Sequence, residues 1–325
     1  MAHTLLIGWD YLVEDSFQAG SFNSSTTPTI DLYNPVHSGT DGLLNTPDYA
    51  YTVSVQPTSS NAENVDALKP RFGLVWQAIP ALSVYGNYVE NFGLTNGHNV
   101  DGTLLAPTTA EQKEIGVKTE LFDKRFTGSI AWFDLTKQHV STPNSNPALA
   151  AQGFSSTTGE VRNQGLEVDF AGEIWPTVKM IGSYAYIDSR ITKDVGLVLD
   201  NYGNVIGTNS GNQGNRYWGV PTHGGSLWTT YEPQDNNLRG FKFGAGVVAR
   251  GERQGDNANT YQLPGYAILN LMTGYSWKMG NSKISLQLNA DNLLDKTYYN
   301  PYSGSGRNYV FATPRTFLGS IRLEF

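Results

Sequence analysis

Cysteine is absent from the 325 residues. That excludes a disulfide framework and a thiolate metal site, and leaves the compartment open. Long apolar runs are absent as well: no stretch of about 18 or more apolar residues occurs, so no transmembrane helix is expected. Positive charge is in short supply, with 22 Lys and Arg against 29 Asp and Glu and a net charge of −7. A broad basic surface is therefore not available, and nucleic acid is not an expected partner. Met1–Tyr11 lacks the basic region, apolar core and cleavage site that an export signal carries in that order. Enzyme signatures are missing too: there is no G-x-S-x-G, P-loop or H-E-x-x-H motif, so no catalytic residue is nominated. Glu167 and Asp169 share a strand face and read as solvated wall charges rather than paired catalytic acids. His3, His37, His98, His139 and His223 share no ligand spacing, and no metal site is expected.

What the chain has is strand-forming residues. Aromatics make up 12%, with 18 Tyr and 7 Trp, and 35 Gly punctuate them together with Asn, Asp and Ser. The sharpest pattern closes the chain. Phe317, Gly319, Ile321, Leu323 and Phe325 alternate with Leu318, Ser320, Arg322 and Glu324, so one face is apolar and the other charged. Ile284, Leu286, Leu288 and Ala290 alternate with Ser285, Gln287, Asn289 and Asp291 in the same way, as do segments 241–250, 114–121 and 4–11. The mean hydropathy of −0.34 does not contradict a membrane location, because strands with one face to lipid and one to water average out.

About twelve long strands are expected, near 3–13, 68–79, 81–92, 110–122, 124–137, 160–174, 176–189, 220–232, 238–252, 265–278, 282–295 and 313–325. They exceed the usual globular strand of about 5–6 residues and match the roughly 9–11 needed to cross a bilayer. Connections alternate strictly between short ones (79–81, 121–124, 175–177, 233–238, 279–282) and long ones (13–67, 92–109, 137–160, 189–219, 252–264, 295–312). That segregation predicts an all-β fold: an antiparallel transmembrane β-barrel with short periplasmic turns and long extracellular loops. A single outer-membrane barrel domain is expected over 1–325, in the cell outer membrane of a Gram-negative bacterium, with the C-terminus periplasmic and lipid or lipopolysaccharide around it. A barrel must be exported, so the natural N-terminus is expected to be missing or replaced. Segment 14–67 is polar, with one strand-like stretch at 49–56. It reads as a large external loop, or as the place of strands lost from the sequence.

Six motifs carry a family resemblance. The run Asn289-Ala-Asp-Asn-Leu-Leu-Asp-Lys-Thr-Tyr298 resembles the N-L-F-D-K-x-Y motif of TonB-dependent siderophore receptors, and Thr313–Phe325 resembles their final strand. In the same order, Glu111–Lys118 resembles the E-x-G-x-K strand, Asn163–Asp169 the N-x-G-x-E strand, and Val220–Trp228 and Pro264–Asn270 two later strands. The ferrichrome-type subgroup is the most similar. The resemblance implies a receptor and transporter barrel for ferric siderophores, which are the transported ligand rather than a cofactor. Such receptors have a barrel of about 22 strands around an N-terminal plug, preceded by a segment that contacts TonB. Nothing here resembles the plug or that segment. The resemblance thus implies a receptor fragment or a shortened barrel, able to bind but not to be energised alone. A small plug-less passive pore and a surface receptor for phage or bacteriocin are the alternatives. Large lumen side chains such as Trp228 would argue against a pore.

The long connections are rich in aromatics. Tyr217, Trp218, Tyr261, Tyr302, Tyr309 and Phe311 are the candidates for ligand contact, because such rings combine rigid apolar area with a hydrogen-bonding handle. Tyr298 and Tyr299, just past a strand end, read as membrane-interface girdle. Arg162, Lys179, Arg250, Arg253, Arg307 and Arg315 form a basic lumen or mouth suited to anionic siderophores or anion passage, or pair with Glu114, Glu120, Glu167, Asp169 and Glu324 on neighbouring strands.

Overall fold

The computed structural model describes residues 3–16, 23–24, 55–56, 63–93, 95, 105–144, 146, 148–149, 154–235, 237–302 and 309–325. Twelve strands form one sheet whose neighbours follow chain order. They are β1 (His3–Ser16), β2 (Glu63–Ile79), β3 (Leu82–Gly93), β4 (Thr108–Leu121), β5 (Phe126–Pro143) and β6 (Ser155–Trp175). The second half is β7 (Val178–Lys193), β8 (His223–Tyr231), β9 (Phe241–Arg250), β10 (Tyr266–Met279), β11 (Ser282–Asp291) and β12 (Thr316–Glu324). Pairing is antiparallel from β2 through to β12. β1 and β12 stand at opposite ends of the order and do not pair among the described residues. The chain divides into two compact units, 1–12 with 67–325, and 13–66. In the second, Asn23–Ser24 pairs with Val55–Gln56; most of 14–67 lies outside the described residues.

Register shows why the alternation exists. Trp76, Val84, Val117, Ile130, Val168 and Tyr184 are successive partners across six strands. One residue along, Ser83, Lys118, Ser129, Asp169, Ser183 and Ser226 are also successive partners. Adjacent rows point to opposite faces, so an apolar row and a polar row lie back to back. The apolar face continues through Leu227, Val247 and Leu269, and through Ala245, Leu271, Ala290 and Phe317. Its large members are open or half-open: Ile115 is 57% exposed, Ile130 53% and Ile321 73%. Only nine apolar residues are buried among the described ones, fewer than the exposed large apolar residues of the outer face. A soluble protein does not expose a continuous apolar patch beyond a few hundred Å²; this belt requires an apolar solvent.

Aromatic girdles border the belt. At the short-turn end Phe241, Phe243, Tyr275 and Trp277 pack in series, with centroids 5.8, 4.6 and 5.6 Å apart along the chain of contacts. At the loop end Tyr184 and Tyr186 pack on His223, whose Nδ1 meets the Tyr184 hydroxyl at 2.8 Å. From Ala267 to Trp277 the outward residues of β10 span ten positions at about 3.3 Å each, which a tilt of about 40° converts to roughly 25 Å of height.

Two glycines explain how the inner wall stays smooth. Trp228 is inward, as a lumen residue, but its indole lies over Gly244 and Gly246, where a Cβ would collide with the ring. It runs along the wall and donates Nε1–H to Thr230 Oγ1 at 3.1 Å. Gly165 in β6 faces the Tyr186 carbonyl oxygen, which a Cβ would strike. Backbone cannot swing aside as a side chain can. Gly165→Ala is expected to cost about 1–3 kcal/mol, while Gly86→Ala, whose nearest atom would stand at 3.7 Å, stays within about 0.5 kcal/mol. Urea unfolding in lipid vesicles checks this: equal midpoints for the two variants would refute the clash.

The long-loop ends of three strands reach past their expected limits. β5 runs to 143 rather than 137, β6 starts at 155 rather than 160, and β7 runs to 193 rather than 189. A register shift at His139, which has φ of 57°, separates the belt from this extension. Beyond it Thr142, Ser156 and Thr158 hydrogen-bond to one another. The ladder there is polar, so no apolar alternation marks it. Conversely, β11 stops at Asp291 rather than 295, because Asn292 takes φ of 50° and turns the chain.

Candidate functional site

The long connections carry their own hairpins. Gly196–Leu199 pairs with Val205–Asn209, Arg253–Gln254 with Gln262–Leu263, and Tyr299–Pro301 with Tyr309–Phe311. The first two turns each have a local polar anchor. Asp200 accepts the backbone N–H groups of Tyr202 and Asn204, both at 2.8 Å. The Asn204 side-chain amide, followed by those N–H groups, holds the Asp200 carboxyl below its ordinary range. Asp256, 4% exposed, accepts the Thr260 N–H at 2.8 Å and the Thr260 hydroxyl at 2.5 Å, the Asx-type cap expected for a tight turn.

Three connections then brace one another. Asn259, in the left-handed region at φ 55°, accepts the Arg216 N–H on Oδ1 at 3.0 Å and donates Nδ2 to the Arg216 carbonyl at 2.8 Å. Asn215 Nδ2 donates to the Asn257 carbonyl at 2.9 Å, and Gly219 N donates to the Gln254 carbonyl at 2.8 Å. The third connection joins through Arg253, whose Nη2 donates to the Tyr299 carbonyl. The Arg253 guanidinium lies 5.3 Å over the Tyr266 ring, and Tyr298 stacks on the other tyrosine at 4.2 Å. Tyr266 is the register partner of Arg250 and shares the inner face with Trp228, so Tyr298 packs on the inner side instead of joining the lipid-facing girdle. Burial pushes the Tyr298 hydroxyl up from its ordinary range.

The candidate ligand-contact residues fall into separate groups. Tyr309 and Phe311 gather with Tyr299 at centroid distances of 5.2 to 6.4 Å. Tyr309 is half exposed and Phe311 72% exposed. Tyr217 and Trp218 are neighbours at 6.3 Å, both half-buried, on the strand of chain that Asn257 and Asn259 hold. Tyr261 is committed locally: its hydroxyl donates to the Gly255 carbonyl at 3.1 Å and its ring covers Gly255. Tyr302 is 71% exposed and makes no ring contact among the described residues. Of the basic residues, Arg162 pairs with Asp134 and Arg315 with Asp295, neither of them an expected partner. Glu324 pairs with Lys283 and Arg322, and Glu120 with Lys124. Arg307 lies outside the described residues. The bracing residues Asn257, Asn259 and Tyr266 were not among the candidates; the short D-N-A-N-T run over 256–260, rich in turn formers, is the signal that marks them.

An antiparallel sheet in chain order, with an apolar girdled outer face and a polar inner one, defines the wall of a membrane β-barrel. The chain belongs to the TonB dependent receptor-like, beta-barrel family, whose model matches residues 7–293. Among curated proteins it is 33% identical over 243 residues to the metal-pseudopaline receptor CntO of Pseudomonas aeruginosa, covering 74% of this chain and 31% of that one. It is 25% identical over 336 residues to the ferrichrome outer membrane transporter/phage receptor of Escherichia coli, covering 91% and 42%. Among solved structures, the siderophore receptor PiuA of Acinetobacter baumannii matches with a TM-score of 0.68 at 25% identity, over 84% of this chain and 38% of that one. The chain spans about three-tenths to a half of the length of the curated relatives it matches. The family is one of receptors and transporters of the outer membrane, as the motif resemblance implied.

Proposed function

We propose that this chain forms wall and mouth of an outer-membrane receptor for ferric siderophores. The observation that carries the reading is the bracing of three long connections, 194–222, 251–265 and 292–315, into one aromatic-bearing surface at one end of the sheet. A pre-braced surface loses little entropy on capturing a ligand. In this reading the loop end faces outward, the short turns and Phe325 face the periplasm, and lipid or lipopolysaccharide covers the belt. Tyr299, Tyr309 and Phe311 offer the apolar contact, Tyr217 and Trp218 a second one. The names of the relatives support the ligand class, and TonB is the energising partner of the whole receptor.

Tyr309→Ala with Phe311→Ala removes two exposed rings that support no strand of the sheet. At about 0.5–1.5 kcal/mol per aromatic contact, the affinity for a bound ferric siderophore is expected to fall about tenfold. Titration by tryptophan fluorescence of the detergent-folded chain measures it. Unchanged affinity in the double variant removes these rings from the site, and a native fold that binds no ferric siderophore refutes the receptor reading.

A further inference from the structure

Five described arginines of the wall and its turns meet a carboxylate. Arg125 pairs with Glu173, Arg162 with Asp134, Arg190 with Asp188, Arg315 with Asp295 and Arg322 with Glu324. At the loop end of β9 the pattern breaks. Arg250 reaches only the Gly225 and Ala249 carbonyls, at 3.4 and 3.3 Å, and no ion pair joins it or Arg253 to an acid among the described residues. Arg253 is 4% exposed, and its Nη1 has no hydrogen-bond partner. Glu252, next in sequence, is exposed. The buried carboxylate nearest in sequence, Asp256, is committed to Thr260.

The two arginines are linked through one tyrosine by register and by ring contact, while the Arg250 guanidinium itself lies against Gly224 and Gly225 of β8. Arg250 is the register partner of Tyr266, and Arg253 lies over the Tyr266 ring. Burial depresses the Arg253 guanidinium, and the Arg250 charge adds to that depression. A buried charge without a counter-charge is strongly disfavoured, and the face of an aromatic ring offsets only part of that. An anion supplies the rest, and a guanidinium fork matches the two oxygens of a carboxylate. Half-buried Arg250 is the accessible member; Arg253 sits as a fixed positive charge behind it. Arg250 and its partner Tyr266 lie on the inner face, so a soluble ligand entering the mouth reaches Arg250 and a lipid headgroup at the outer belt does not.

We propose that Arg250 and Arg253, flanking Tyr266, form a subsite for a carboxylate of an anionic metal chelate. The proposal rests on the receptor reading and narrows its substrate class to polycarboxylate chelates over neutral hydroxamate ones. The detergent-folded 325-residue chain is titrated with two probes, ferric citrate as the polycarboxylate and ferrichrome as the neutral hydroxamate. Ferric citrate is expected to bind, with affinity lowered about tenfold or more by Arg253→Gln and by Arg250→Gln, as the loss of a charge-assisted contact predicts. Arg253→Lys, which keeps the charge, retains affinity within about threefold of the parent. Native migration of unheated samples on gels shows that each variant is folded. Ferrichrome binding without ferric citrate binding overturns the subsite and leaves the receptor reading standing. So does ferric citrate affinity that neither Gln variant moves. Binding of neither probe by the folded chain overturns both.

Discussion

Arginine at position 271 is expected to lower the stability of the folded chain in lipid by about 2–4 kcal/mol, the cost of a cation on the lipid face near the bilayer midplane. Leu271 sits in the outer row of β10, between Ala245 and Ala290 in register, with the Tyr275 and Trp277 girdle on one side and Ala267 on the other. Both register partners are alanine, so neither offers a carboxylate to the guanidinium. The control is Gln287→Arg on β11, whose register partners are Gly274 and Ser320 on the water-facing side. That change is expected to stay within about 0.5 kcal/mol. Urea unfolding of both variants in vesicles separates the faces. If the two substitutions are tolerated equally, the belt is not in contact with lipid and the membrane reading fails.

Replacing Asn292 by leucine is expected to cost about 3 kcal/mol or more, from two sources. The residue is 2% exposed with φ of 50°, and a residue other than Gly, Asn or Asp pays roughly 1–2 kcal/mol in that region. Its side chain also joins three segments. Nδ2 donates to the carbonyls of Lys296 and Thr313 at 2.9 and 3.3 Å, and Oδ1 accepts the Lys296 N–H at 2.8 Å. Its own N–H donates to Asn270 Oδ1 at 2.8 Å, tying the turn to β10. Leucine leaves buried backbone groups unsatisfied, at about 1–3 kcal/mol each. Asn292→Gly keeps the backbone freedom and loses the side chain, so it is expected to fall between parent and Asn292→Leu. Unfolding midpoints test the order; identical values for Gly and Leu would mean the backbone angle contributes nothing. Thr313 leads into β12, so the same substitution loosens the last strand before any other.

The fold was legible because two solvents impose a period of two on every strand between them. Where water lies on both sides the signal vanishes, and the Thr142–Ser156–Thr158 ladder went unread for that reason. Asn292 shows the opposite limit: alternation carried β11 onward to 295, and only its backbone angle, which no pattern of polarity encodes, ended the strand. The candidate site was legible in composition and not in arrangement. Tyr309 and Phe311 meet Tyr299 because two three-residue strands pair, whereas Tyr261, of the same type and in the same kind of segment, closes its own turn. Tyr298 was misplaced on the lipid side, since one residue of parity at a strand end decides the face. Which arginines lack an acid was equally unreadable: Arg162 found Asp134 on the adjacent strand, a neighbour that only the register reveals.

The alternation of short and long connections also has a consequence in time. Five hairpins, β2–β3, β4–β5, β6–β7, β8–β9 and β10–β11, close through the short turns. Closure entropy grows as the logarithm of loop length, so joining ends across a turn of about three residues is easier than across about twenty-five by roughly 2 kcal/mol. Each hairpin is thus a kinetic unit that zips before it meets the next, and the long connections are drawn together only as units dock side by side. The braced mouth, made from three of those connections, is the last part of the molecule to exist.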